Sequence, residues 1–293
     1  MAITAALRQS WEKNWPGVRC ALSGGMPSFV FSPRPGAELT GVPVFCYHLV
    51  NGGDFERDLI HLQRGGYTTS DADGLLDHLE GRRPAPPRTV VLSFDDGPVN
   101  FYRVAFPLLQ KYDMKAVAFV APRFHEQTGD ACDARPCTWD EIARMHESGL
   151  VDVQSHTFSH RYVPRWPEPS PMLGASAAAI EALRGEPLSM EEDFRRARDE
   201  LEHRLSKTVR HLAFPRYNGT DQAIAIGRRL GYRAFWWGAM PRRPINRPAD
   251  PATHIVRISG EFLRRLPGEN RRSFTGVVLH RYGLNVRRWM RRA

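Results

Sequence analysis

Two adjacent carboxylates, Asp95-Asp96, end a short apolar run, Val90-Val91-Leu92-Ser93-Phe94, and Gly97-Pro98 breaks the chain immediately after them. A buried strand that delivers charge to its C-terminal end has this form, and that end is where α/β folds keep their chemistry. Well downstream, a second strand-like run, Val151-Asp152-Val153-Gln154, empties into Ser155-His156-Thr157-Phe158-Ser159-His160. The His-x-x-x-His spacing lets both imidazoles face one point if the chain makes a helical turn after the strand. One carboxylate and two imidazoles could then hold a single cation, with an open position and a second carboxylate beside it, which is the ligand set of a catalytic zinc-type site. Taken singly, the acidic pair also reads as a solvated turn and the two histidines as a hydrogen-bonded pair.

The elements that must position these groups alternate in type. Val44-Phe45-Cys46-Tyr47 is a strand candidate opened by Pro43 and closed by His48, a candidate wall of the cleft. Phe55, Leu59, Ile60 and Leu62 share a helical face ended by Gly65-Gly66, and Leu75, Leu76 and Leu79 mark another helix. Phe106 to Tyr112 predicts a helix and Ala116 to Val120 the next parallel strand. Thr138-Trp139-Asp140-Glu141 and Ser189-Met190-Glu191-Glu192 have the spacing of capping boxes. Further strands are expected at His211 to Phe214, Tyr232 to Trp237, His254 to Ile258 and Gly276 to His280, with a helix from Asp221 to Leu230. Repeated strand–helix alternation argues for a parallel sheet closed into a barrel.

Between these elements, residues 161–188 crowd Pro164, Pro167, Pro169 and Pro171 with Trp166 and then an alanine-rich stretch. Such an insertion, directly after the histidines, reads either as a wall of the cleft or as a surface excursion. The chain divides into an irregular arm (1–40), one catalytic domain (41–285) and a basic tail (286–293).

Taken together, Ser93-Phe94-Asp95-Asp96-Gly97-Pro98, Ser155 to His160, Phe214-Pro215-Arg216-Tyr217-Asn218-Gly219 and Val278-Leu279-His280 resemble, in order and spacing, the motifs of the polysaccharide deacetylase family (NodB homology domain, carbohydrate esterase family 4). Cys46-Tyr47-His48 and Trp139-Asp140-Glu141-Ile142 add likeness to its exopolysaccharide amino-sugar branch. The resemblance runs from about Pro43 to Tyr282 and implies a single α/β domain, a distorted (β/α)7-type barrel. It implies that Asp96, His156 and His160 hold one divalent metal, zinc before cobalt, nickel or manganese. Asp95 would be the general base toward a metal-bound water, and Gly97-Pro98 must bend the backbone so that both carboxylates reach one cleft. The turn Pro215-Arg216-Tyr217 would give a backbone N–H to the tetrahedral intermediate, and His280, at a strand end, would protonate the leaving amine. Two departures stand out. Ala213-Phe214 occupy the place of an arginine that pairs with the base in many relatives, so that either Arg216 substitutes or the base is unpaired. No Asp or Glu lies between Asp221 and Asp250 to orient His280; Trp236-Trp237 fall there instead, planar surfaces suited to sugar rings or to a core.

The implied activity is removal of N-acetyl groups from an amino-sugar glycan or its precursor. A metal-dependent amide, imide or O-acyl ester hydrolase acting on a small molecule is the alternative, and a carbohydrate-binding module with a degenerate site a second. The composition, 41 Lys+Arg against 32 Asp+Glu, suits a solvated basic surface or an anionic substrate carrier. Basic residues are not interleaved with aromatics, so nucleic acid is not expected as a partner; the arginine-rich end could touch a membrane surface or an acidic partner, and the oligomeric state cannot be read. No signal peptide or membrane span is evident, so a cytoplasmic protein is expected, with Cys20, Cys46, Cys132 and Cys137 reduced; a bridge or metal clip between the last two is the alternative.

Overall fold

The computed structural model describes residues 19–32, 39–125, 134–186 and 188–280. Eight parallel strands form the sheet: β1 (Val44–Tyr47), β2 (Thr68–Thr69), β3 (Thr89–Asp95), β4 (Ala116–Val120), β5 (Val151–Ser155), β6 (His211–Ala213), β7 (Ala234–Trp236) and β8 (Ile258–Ser259). Their order is β7-β6-β5-β4-β3-β1-β8, with β2 paired beside β3. Ile255, just before β8, donates to the Phe235 carbonyl at 2.9 Å and accepts from the Trp237 N–H at 2.8 Å. Residues 255–259 therefore lie between β7 and β1 and curl the sheet back on itself, as the (β/α)7-type reading requires.

Alternation along each strand sorts the side chains into two layers. Val44, Val91, Val117, Phe119, Ala213, Ala234, Trp236 and Ile255 point inward and pack with Leu75, Leu76 and Leu79 of a helix that plugs the barrel. Phe45, Leu92, Phe94, Val120 and Val153 point outward, under the surrounding helices. Those helices are α1 (Gly52–Arg64), α2 (Ala72–Leu79, the plug), α3 (Phe106–Tyr112), α4 (Trp139–Glu147), α5 (Ala177–Ala182), α6 (Met190–Leu205) and α7 (Asp221–Arg229). β3 is buried along its whole length, which explains the apolar run Val90-Val91-Leu92 at its centre.

Local chemistry sets the helix starts. Thr138 and Glu141 form the reciprocal capping box expected of α4. At α6 only half of the second box is made: Ser189 accepts from the Glu192 N–H, while the Glu192 carboxylate turns to Arg195 and Arg196. The largest departure is at 276–280, which is helical rather than a strand. Ser273 Oγ accepts from the Gly276 N–H at 3.0 Å, and this N-cap outweighs the β-propensity of Val277-Val278. The place that strand would have filled is taken by 255–259. The irregular arm lies partly outside the described residues, although Ser28–Phe31 forms one helical turn that buries Phe29 and Val30. Cys132 and the basic tail also lie outside them; Cys20, Cys46 and Cys137 are buried free thiols. Among the described residues no helix is long and apolar enough to cross a membrane.

Candidate functional site

β3 ends at Asp95, an inward position, and two left-handed residues follow: Asp96 at φ 69° and Gly97 at φ 56°. This is how neighbouring carboxylates, which an extended strand would send to opposite faces, come to share a cleft. A side chain at Gly97 would have its Cβ 2.9 Å from His125 Cε1 and from Val120 Cγ1, so both space and φ require glycine there. The histidines are gathered by a tight irregular bend, not the helical turn expected: after β5 the chain takes φ 64° at Thr157 and 51° at His160. A β-branched residue in the left-handed region is strained, on the order of 1–3 kcal/mol, and is kept only where its surroundings fix it. Asp193 fixes this bend, accepting from the Phe158 and Ser159 N–H groups at 2.8 and 3.2 Å and from the Ser159 hydroxyl.

The bend brings three of the expected residues to one point. Asp96 Oδ1 lies 3.5 Å from His156 Nε2 and 3.3 Å from His160 Nε2, and all three residues are buried. Each imidazole has its far nitrogen facing a carbonyl, His156 Nδ1 at 2.8 Å from Ala213 O and His160 Nδ1 at 3.3 Å from Ser170 O. Nδ1 must carry the proton to donate there, which leaves both Nε2 lone pairs aimed at Asp96. Asp96 Oδ2 accepts from the Leu173 N–H at 3.1 Å, while Oδ1 is buried without a hydrogen-bond partner. An orphaned carboxylate oxygen facing two imidazole lone pairs fits a divalent cation. Burial pushes the His156 imidazole down to about 4, against the pull of Asp95, so it is neutral, the form that ligates.

Asp95 stands apart from this cluster. Its Oδ1 receives Arg257 Nη1 at 2.6 Å and its Oδ2 faces Cys46 Sγ at 3.5 Å. Arg257, from the closing segment, is fully buried, with its Nε donating to the Trp237 carbonyl at 2.9 Å and its guanidinium over the rings of Phe119 and Tyr217. Burial alone would raise the Asp95 carboxyl; Arg257, with His156 and His48 beyond it, outweighs burial and holds it below the ordinary carboxylate range. Asp95 thus has a guanidinium partner from the segment between β7 and β8, not from the Ala213-Phe214 position. Arg216 is not that partner: its guanidinium lies 4.4 Å over the Tyr162 ring. Neither Arg257 nor Cys46 was singled out as a partner of Asp95 from the sequence. The available signal was an arginine embedded in the apolar run Ile255-Val256-Arg257-Ile258, a charge that a buried strand keeps only with a counter-charge.

The remaining expected residues divide. His48, just past β1, is half-buried with its ring 6.1 Å from that of Tyr217, and it faces both Asp95 and Asp96 closely enough to lower their carboxyls. Pro215–Tyr217 forms a tight turn after β6, with Arg216 and Tyr217 at φ 54° and 67°. Tyr217 bridges the site, its hydroxyl 3.9 Å from Cys46 Sγ while the residue as a whole is 38% exposed. Trp236 is not a sugar platform: it points inward, fully buried against Phe119, and donates from Nε1 to His211 Nδ1 at 3.2 Å. Trp237 is half-buried, stacked on His254 and bonded to the Thr253 carbonyl. His280 does not end a strand. It lies in the 274–280 helix with Nε2 3.6 Å from Asp54 Oδ2 on α1.

The family model described as "Polysaccharide deacetylase" matches residues 82–235, just over half the chain. The chain belongs to the polysaccharide deacetylase family. It is 32% identical over 110 residues to a poly-beta-1,6-N-acetyl-D-glucosamine N-deacetylase of Escherichia coli, an alignment covering 34% of this chain and 16% of the relative. Among solved structures it is similar to IcaB from Ammonifex degensii, with TM-score 0.60, 25% identity, and coverage of 76% of this chain and 92% of that one. The fold also matches the Streptococcus pyogenes deacetylase PplD, with TM-score 0.60 and 22% identity over 79% of this chain and 99% of that one.

Proposed function

We propose that this chain is a metal-dependent hydrolase that removes N-acetyl groups from an amino-sugar glycan or glycan precursor. The observation that carries the reading is the division of labour between the adjacent carboxylates: Asp96 faces two imidazole lone pairs, and Asp95 faces a guanidinium. Asp96, His156 and His160 would hold one divalent cation, zinc before cobalt, nickel or manganese. Bound there, the cation would supply Lewis acidity, polarising the acyl group and acidifying the water that attacks it.

The protein's own groups account for the proton movements. Arg257 occupies Asp95 Oδ1, whereas among the described residues Oδ2 meets a thiol, a weak donor, so Oδ2 is the basic oxygen. Asp95 is ionised at neutral pH and takes a proton from the attacking water as that oxygen bonds to the acyl carbon. Charge developing on the acyl oxygen would meet the turn after β6. There the Tyr217 N–H is already committed to the Phe214 carbonyl at 3.0 Å, which makes the Arg216 N–H the donor the turn can offer. The C–N bond then breaks, and the nitrogen needs a proton. His48 has the position for this role, facing both carboxylates at the mouth of the site, and we assign it there in place of His280, whose partner is Asp54. Tyr217 and the Trp237–His254 stack are the candidate sugar contacts.

The reading is tested by incubating the metal-loaded protein with an N-acetylglucosamine oligomer and measuring acetate and free amine. Equimolar release that Asp95→Asn abolishes supports it. Cleavage of small acyl amides or O-acetyl esters with no release from the oligomer would replace it with a small-molecule hydrolase, and glycan binding without turnover would replace it with a binding module.

A further inference from the structure

Residues 161–186, the insertion after the histidines, do more than border the cleft. Two of the three candidate ligands are held from behind by its backbone: the Ser170 carbonyl takes His160 Nδ1, and the Leu173 N–H holds Asp96 Oδ2. The segment has little apolar packing of its own. α5 is six residues long and buries none of them; beneath the segment Met172 and Leu183 pack with Ala121 and Phe124, with Ala175, Ala179 and Ile180 at the edge, and Val163 and Trp166 reach the main core. So short a helix is marginal without outside support. That support is polar and converges on Arg161, the residue after His160, which is 1% exposed. Its guanidinium donates to the carbonyls of Pro167, Leu183 and Glu186 at 2.6, 2.8 and 2.6 Å, and to Ser159 Oγ at 3.1 Å. The Ser159 hydroxyl in turn donates a hydrogen bond to buried Asp193, which also fixes the bend carrying His160.

We infer that this insertion and the cation site are one coupled unit, in which cation binding orders residues 161–186 and their order strengthens cation binding, with Arg161 as the positioning residue. The inference rests on the metal-site reading above. A cation fixes Asp96 and His160, and these two side chains hydrogen-bond to the segment's backbone at Leu173 and Ser170. In reverse, the Ser170 carbonyl sets the His160 tautomer and raises its basicity as a ligand. Coupling between two equilibria is reciprocal, so one effect requires the other.

Amide hydrogen exchange of the whole chain, with and without zinc, reads the first direction. Slower exchange across 161–186 on zinc addition is expected; zinc uptake with unchanged exchange there would overturn the coupling while leaving the site intact. Zinc affinity, measured by competition with a chromophoric chelator, reads the second. Arg161→Gln should bind zinc about 10–100-fold more weakly, the usual cost of losing an outer-sphere partner. Arg195→Gln, which loses only an exposed pair with Glu192, should match the unaltered protein. An Arg161→Gln affinity equal to that of the unaltered protein refutes the proposal. If that variant does not fold, Ser159→Ala breaks the same tie more gently and the exchange comparison needs no variant. Failure of the unaltered protein to take up zinc would sink both the coupling and the metal-site reading.

Discussion

Replacing Arg257 with methionine keeps the bulk of the side chain and removes the charge opposite Asp95. The pair is 2.6 Å long with side chains 0% and 2% exposed, so the change leaves a buried carboxylate without its cationic partner, hydrogen-bonded to a weak thiol donor. Breaking one side of such a pair costs about 3–5 kcal/mol, and at about 2–4 °C per kcal/mol the melting temperature should fall on the order of 10 °C. Asp95→Asn/Arg257→Met removes both charges and should recover most of that loss, giving a large coupling energy in the four-protein cycle. The assay is thermal unfolding at pH 7, followed by a pH series. Asp95 is held below its ordinary value in the folded protein, so its contribution is present above the unfolded pKa and lost as pH falls through the folded one. The Arg257→Met deficit should therefore shrink in acid. A melting temperature within about 2 °C of the unaltered protein, or a double variant no better than Arg257→Met, would refute the assignment.

Other consequences are quicker to check. His48→Gln should lower kcat by about 10²–10⁴, the usual worth of a general acid, whereas His280→Gln should leave kcat within about twofold; equal losses would return His280 to consideration. Cys46→Ser exchanges a weak donor to Asp95 Oδ2 for a strong one, so the acid limb of the kcat profile should move to lower pH and the plateau should fall, and an unmoved limb counts against Oδ2 as the basic oxygen. At the opposite end of the barrel His211 Nε2 donates to Asp73 at 3.1 Å, and this bond, with burial opposing it and Arg210 assisting, holds the Asp73 carboxyl down at about 2. Asp73→Asn should thus be less stable at pH 7, with the gap closing as pH falls from about 4 toward 2 while zinc affinity is untouched. A gap independent of pH would mean that the bond does not depress this carboxyl.

How far the sequence reached depended on whether a signal was local. Asp95-Asp96-Gly97-Pro98 and the two histidines were legible because strand ends and turn breakers are written in consecutive residues. The parallel strands from Val44 to Trp236 were legible from their apolar runs, except the two-residue β2, Thr68–Thr69, which has none. Gly276 to Leu279 has the same apolar and β-branched character as those strands, yet a single serine cap upstream and the prior filling of the barrel's last place by 255–259 make it helical. Trp236 and Trp237 are adjacent and alike in sequence, but strand alternation sends the first into the barrel core. Arg257 was hidden for a different reason. Its partner is 162 positions away, and only closure of the barrel, with Ile255 on β7 and Ile258 on β1, brings Arg257 to the end of β3. The insertion's hold on Asp96 and His160 was equally invisible, since it acts through a carbonyl and an N–H that any residue would supply.

The central claim is that the two adjacent carboxylates have different partners and different work. Metal content per chain, measured on the unaltered protein, His156→Ala and Asp95→Asn after zinc loading and desalting, tests it most directly. The account predicts close to one zinc in the unaltered protein and in Asp95→Asn, and almost none in His156→Ala. Equal metal loss in both variants, or no zinc in the unaltered protein, would contradict it.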